Sequence, residues 1–146
     1  MELKEQLKPI KGCLEFRVFD KNGVQTEWHR WDNLVTNDGY AAAAESLAGV
    51  AEAAISHIGM GTNDATPTVG DITLTDVFVV PVTEVSYPAN GAVRFHFTVG
   101  FFDNVGMNIA EWGLITADGR LFSRLTRAVI IKTNEMMLKG SWTINI

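Results

Sequence analysis

One cysteine, Cys13, in a chain of 146 residues has no partner within the chain. That excludes a disulfide framework, and a single thiol inside an apolar run is expected to be a small hydrophobe on a strand, in a protein made in a reducing cytoplasm. Positive charge is scarce as well. Twelve Lys and Arg face 17 Asp and Glu, which gives a net charge of −5 and a pI near 5.1. There is no basic footprint for a phosphate backbone, so no nucleic-acid partner is expected. No apolar run approaches the ~18 residues of a membrane span, and the opening MELKEQLKPIKG lacks the apolar segment of a secretory signal. Neither a membrane nor export is expected.

The usual carriers of chemistry are thin too. His29, His57 and His96 fall on separate predicted strands with no metal-pair spacing. No serine sits in a nucleophile elbow. Gly59-Met60-Gly61-Thr62 lacks the lysine of a phosphate loop and has no helix after it. Asp64, Asp71 and Asp76 match no calcium-loop spacing and are expected to be solvated loop carboxylates. Neither catalytic residues, metal nor cofactor are expected from this pattern.

What the chain does have is apolar bulk in short alternating runs. Hydrophobic residues make up 47% of it, with Trp at four positions and Phe at eight, which is enough for the core of one domain. Residues 1–12 are rich in Lys and Glu and are expected to form an arm, either frayed or reaching a neighbour, ahead of a domain over 13–146. CLEFRVFD alternates, Asn22-Gly23 supplies a tight turn, and VQTEWHRWDNLV reads as the returning strand. YAAAAESLAGVAEAAI, after Asn37-Asp38-Gly39, is the one helical segment. Asn37 or Asp38 is its expected cap, and Leu47, Val50 and Ala54 stand at helical spacing. Beyond it lie a short strand, SHIGMG, and a long polar loop. VFVVPVTEVSYP and AVRFHFTVGFF then flank Asn90-Gly91, and Pro81 marks an edge or a bulge. NIAEWGLIT and RLFSRLTRAVIIKT flank Asp118-Gly119. In MMLKGSWTINI, Trp142, Ile144 and Ile146 share the expected core face. The sum is a mainly β chain: an antiparallel β-sandwich, jelly-roll-like, of about eight strands with one Ala-rich helix on a flank.

Within this frame Glu111, beside Trp112, is expected to pair with Arg120, Arg124 or Arg127 on the next strand, or to accept hydrogen bonds from turn amides. General acid or base work would need a second titratable group converging on it.

Asn33-Leu34-Val35-Thr36-Asn37-Asp38-Gly39 stands before the Ala-rich helix. His57-Ile58-Gly59-Met60-Gly61-Thr62 follows, with Pro67 and Asp71. Then come Glu111-Trp112-Gly113-Leu114, Gly119-Arg120-Leu121-Phe122-Ser123-Arg124, Ile131-Lys132 and Ser141-Trp142-Thr143-Ile144. In this order, over about residues 28–146, the series resembles a family of small tailed-bacteriophage virion proteins. The resemblance implies a β-rich module that assembles on the particle, as a capsid decoration (cement) protein or as a tail, neck or fibre component. It also implies an oligomer, dimer or trimer, and a partner such as the major capsid protein. It brings no catalytic residues. Trp28, Trp31, Phe101 and Phe102 are the candidate interface aromatics, with a place in the core as the alternative. A host-surface carbohydrate or receptor module is the competing expectation, and Trp31, Asp32 and Asn33 are its candidate sugar contacts.

Overall fold

In the computed structural model, which describes residues 9–146, the alternation in KGCLEFRVF forms β1 (Lys11–Phe19) and buries Leu14, Phe16 and Val18. The strand starts inside the expected arm, and the rest of that arm, 1–8, lies outside the described residues. Gly23, at a φ of +77°, turns the chain into β2 (Gln25–Asp32), and Asp20 Oδ1 accepts the amides of Asn22 and Val24 across the turn.

The second run does not remain one strand. At Asn33 it leaves β1 and continues as β3 (Leu34–Val35) against β9 (Leu121–Ile131). The Asn33 amide donates to Gly12 in one sheet, and three residues later the Thr36 amide donates to Phe122 in the other. The run VFVVPVTEVSYP behaves alike. It yields β5 (Phe78–Pro81), paired to β4 (Ile55–Gly61), then β6 (Glu84–Ser86), paired to β7 (Ala92–Val99). Adjacent amides of Val82 and Thr83 donate to Ser56 and His96, in opposite sheets. With β8 (Asn108–Thr116) and β10 (Met137–Asn145) the eight expected runs therefore become ten strands among the described residues. Sheet A has the order β2-β1-β10-β7-β6 and sheet B the order β3-β9-β8-β4-β5, all antiparallel. One continuous run closes each edge of this sandwich by bending from sheet to sheet. Pro81 lies in the edge strand β5, where its missing amide proton costs no ladder bond.

β1 and β10 pair along their full length, Lys11 with Asn145 through Phe19 with Met137. Trp142 and Ile144 are buried as expected, but Ile146 is 80% exposed and the chain end is held by its amide on the Gly91 carbonyl. Between the sheets Phe16 stacks on Trp112 at 4.9 Å, and Phe97 approaches the same indole at 6.2 Å. Gly140 lies between Phe16 and Phe97 in the register, and a Cβ there would overlap the Glu15 carbonyl and come within 2.5 Å of Phe16 Cβ. Both rings fit because this position has no side chain.

The helix, α1 (Asn37–Leu47), is shorter than its alanine run, and its cap is neither Asn37 nor Asp38. Thr36 Oγ1 accepts the Gly39 amide at 3.0 Å and donates to the Leu121 carbonyl at 2.6 Å, so a single hydroxyl caps the helix and ties it to β9. Gly49, at φ +87°, ends the helix before Val50. Leu47 is consequently 85% exposed, and the buried face is Gly39 and Ala42, against β9. Gly140→Ala is expected to lower stability by about 1–3 kcal/mol through overpacking, measured as a fall in the urea midpoint with an unchanged m-value.

Candidate functional site

Inner and outer residues alternate along β8. Trp112 and Leu114 enter the core, so Glu111 and Gly113 face away from it, toward the loop 62–77. Opposite them in the ladder stand Gly61 and Gly59 of β4. A Cβ at Gly61 would overlap the Glu111 carboxylate, and Cβ atoms at Gly59 and Gly113 would press on Leu74. Three glycines thus form a bare floor on sheet B. Leu74, 5% exposed, covers part of it, and the fully buried Glu111 carboxylate occupies the rest.

Every oxygen of that carboxylate is used. Oε1 accepts from Arg124 Nε at 2.8 Å, and Oε2 accepts the amides of Asn63 and Thr75, both at 2.9 Å. Arg124, 3% exposed, also donates Nη1 to Asp71 Oδ2 at 2.9 Å and Nη2 to the Asn63 carbonyl at 3.0 Å. Asp71 in turn accepts the Thr68 amide and hydroxyl at 2.9 and 2.8 Å. One cross-strand ion pair therefore fastens the loop 62–77 at its start, middle and end. The Asn37 amide, donating to the Val69 carbonyl, joins that loop to the helix. Burial alone pushes the Asp71 carboxyl up, but the hydrogen bonds from Thr68 and Arg124 and the guanidinium charge outweigh it and hold its pKa below the ordinary 3.8.

Of the three arginines expected near Glu111, only Arg124 reaches it. Arg120 bridges Glu45 of α1, at 2.6 Å, and Asp118 of the turn. Arg127 donates to its neighbour's carbonyl, Thr126. This constellation binds the protein to itself. Each carboxylate oxygen of Glu111 and Asp71 already accepts a hydrogen bond from within the cluster.

The candidate aromatics do not form one patch. Trp31 turns inward and meets Phe16 edge-on at 5.3 Å, so of its two expected places it takes the core; it does not join Asp32 and Asn33 as a sugar platform. Trp28, one residue of opposite parity, lies on the outer face of sheet A, 52% exposed, with Nε1 donating to Glu15 at 3.1 Å. Phe101 is half-buried and Phe102 is 85% exposed, in the turn between β7 and β8. A residue not foreseen holds that turn: Lys132, fully buried, donates Nζ to the carbonyls of Phe101 and Thr133 at 3.1 and 2.9 Å. Burial lowers its pKa, partly offset by the charge of Asp103.

Among the described residues, none forms a layer over the outer face of sheet A. Its register sets Trp28, Arg17, Lys139 and Thr98 in one row across the strands. Arg30, Glu15, Ser141, His96 and Glu84 form the next row, and Asp32, Cys13, Thr143, Arg94 and Ser86 a third. Neighbour bonds fix several of these side chains: Arg94 Nε to Thr143 at 3.0 Å, Arg30 Nε to Cys13 Sγ at 3.2 Å, and Ser86 Oγ with His96 Nε2 at 2.8 Å. The face is hollowed by two depressions, about 560 Å³ beside Arg17, His96 and Lys139 and about 270 Å³ beside Arg30 and Arg94. Ser86 and His96 are the elements of a nucleophilic pair, yet among the described residues no side chain hydrogen-bonds the second ring nitrogen to orient it. Nor, among those residues, are three or more His, Cys, Asp or Glu side chains grouped to hold a metal ion, and no helix is long and apolar enough to cross a membrane.

No protein-family model, curated protein or solved structure matches this chain. The two surfaces above, one sealed and one open, are therefore the basis for any functional reading.

Arg124→Met is expected to destabilise the fold by about 3–5 kcal/mol, because it leaves the Glu111 charge buried without its partner. Exchange of the Asn63 and Thr75 amides should accelerate beyond what the global loss accounts for. For Asp71 the native pKa is the lower one, so its contribution is complete above 3.8 and disappears as pH falls through the depressed native value. Denaturant midpoints measured from about pH 7 to about pH 2 should fall on the acid side, and Asp71→Asn should remove part of that slope. Lys132→Met keeps the volume but leaves two carbonyls without a donor. It should cost about 1–3 kcal/mol and raise amide exchange at Phe102 to Gly106.

Proposed function

We propose that this chain is a non-enzymatic virion structural protein of a tailed bacteriophage, a capsid decoration protein that binds the major capsid shell and stabilises it. The observation that carries the non-enzymatic part is the use made of Glu111 and Arg124. Their charges and hydrogen-bonding atoms go into fastening the loop 62–77, so the most buried ionisable cluster has nothing left with which to act on a substrate. A shell-binding protein needs a rigid frame and an exposed docking surface, and a corner-closed sandwich with one bare sheet face fits that need. The phage part rests on the ordered sequence series described above and on the oligomeric β-rich modules that it implies.

A tail, neck or host-surface role is the second reading. Trp28 favours it: an exposed indole hydrogen-bonded to Glu15, on the same face as Arg30, is the kind of platform on which a sugar ring stacks.

Copy number decides between these places. Quantitative mass spectrometry of purified particles should find this chain at one copy per major capsid subunit or a simple fraction of that. A handful of copies per particle would move it to the tail or neck, and absence from particles would overturn the virion reading.

A further inference from the structure

Charge is distributed by layer. The exposed face of sheet A holds Lys11, Arg17, Arg30, Arg94 and Lys139 against only three carboxylates, in a chain whose net charge is −5. The opposite side of the sandwich is the acidic one. There Arg120 and Arg124 are paired with Glu45, Asp118, Glu111 and Asp71, Lys132 is buried, and Arg127 is the one exposed cation outside an ion pair among the described residues of the sheet. Asp38 and Glu52, around the helix, and Asp64 and Asp76, in the loop 62–77, form no ion pair among the described residues. The acidic layer also presents Leu47 at 85% and Ile72 at 69% exposure, while the basic face presents Trp28 at 52%. Opposite signs with apolar anchors on both sides are what a protein–protein interface requires, and here both halves belong to one molecule.

We propose that the outer face of sheet A docks on the acidic helix-and-loop layer of a second copy of this chain. Copies then associate head to tail, through two different patches rather than one patch meeting itself. Such a heterologous contact closes into a ring if its rotation allows and otherwise continues as a stack. The inference deepens the oligomeric part of the virion reading but does not depend on the shell as partner, because it concerns the purified chain alone.

The test is sedimentation velocity of the purified protein over a concentration series, at about 50 mM and about 500 mM salt. Self-association should be present at low salt and weaken about tenfold or more at high salt. Arg17→Glu with Lys139→Glu reverses the basic face, and Glu52→Lys with Asp64→Lys reverses the acidic layer, all at exposed positions. Each double variant should sediment as a monomer with an unchanged circular dichroism spectrum. Mixed in equal amounts they should associate again, since each then offers the other a complementary patch. A wild-type monomer at low salt, association indifferent to salt or to either reversal, or a mixture that stays monomeric would overturn the proposal. Failure here leaves the particle copy number untouched, so the two readings fail separately.

Discussion

Glu111 and Arg124 face each other across β8 and β9 on the outer side of sheet B, and the cover of that sheet depends on them. Taking two charges out of water costs several kcal/mol per ion, which their attraction repays only when the remaining hydrogen-bonding positions are filled. Here they are filled by the loop itself: two amides on the carboxylate, one carbonyl and one carboxylate on the guanidinium. The coupling runs in both directions. The loop 62–77 has no secondary structure of its own to order it, and the ion pair is tolerable only while the loop is in place. Glycines at 59, 61 and 113 are the condition for both, since side chains there would occupy the space that Leu74 and the carboxylate take.

The same economy governs the edges. A sandwich ordinarily leaves four edge strands with unpaired backbone groups, which invite aggregation. In this chain two edges are one run bent at Asn33, and two are one run bent at Val82-Thr83, so neighbouring amides serve different sheets. Bending places constraints far apart in sequence. β3 must find β9 before the Asn33 corner is fixed, and β5 must find β4 before the Val82-Thr83 corner is. Non-local pairing of this kind makes for slow folding, and the local devices that offset it are the tight turns at Gly23, Gly91 and Gly119, each at positive φ.

Those turns were legible in the sequence, as Asn-Gly or Asp-Gly between alternating runs, and so were the two-layer β architecture and the pairing of Glu111 with an arginine on the next strand. All of these are encoded within a few residues of one another. The two changes of sheet were not legible, because a strand that bends keeps its alternation. The remaining partners of the ion pair were hidden for a different reason: Asn63 and Thr75 contribute backbone amides, which carry no side-chain signature, and Asp71 is distant in sequence from Arg124. The helix end is a case where the signal was present. Gly49 after Leu47-Ala48 is an ordinary helix stop, and the alanines beyond it suggested continuation that their propensity alone does not secure. Lys132 gave no sign, since a lysine at the end of an apolar run is usually solvated.

The two faces of the sandwich hold their charges under different physical regimes, and that difference separates structure from recognition. At Glu111 and Arg124 on sheet B the charges are dry and mutually satisfied, so a change in either propagates to the loop, the helix start and the floor beneath. On sheet A they stand in water, each held by at most a neighbour or two, so exchanging one alters the surface and little else. A protein built this way can vary its partner without endangering its frame, because no residue of the open face takes part in the sealed cluster. Under the docking proposed above, specificity belongs to Trp28, Arg17, Arg30 and Lys139 on one side and the exposed acids of the helix-and-loop layer on the other, and stability to Glu111, Arg124, Asp71 and the three glycines.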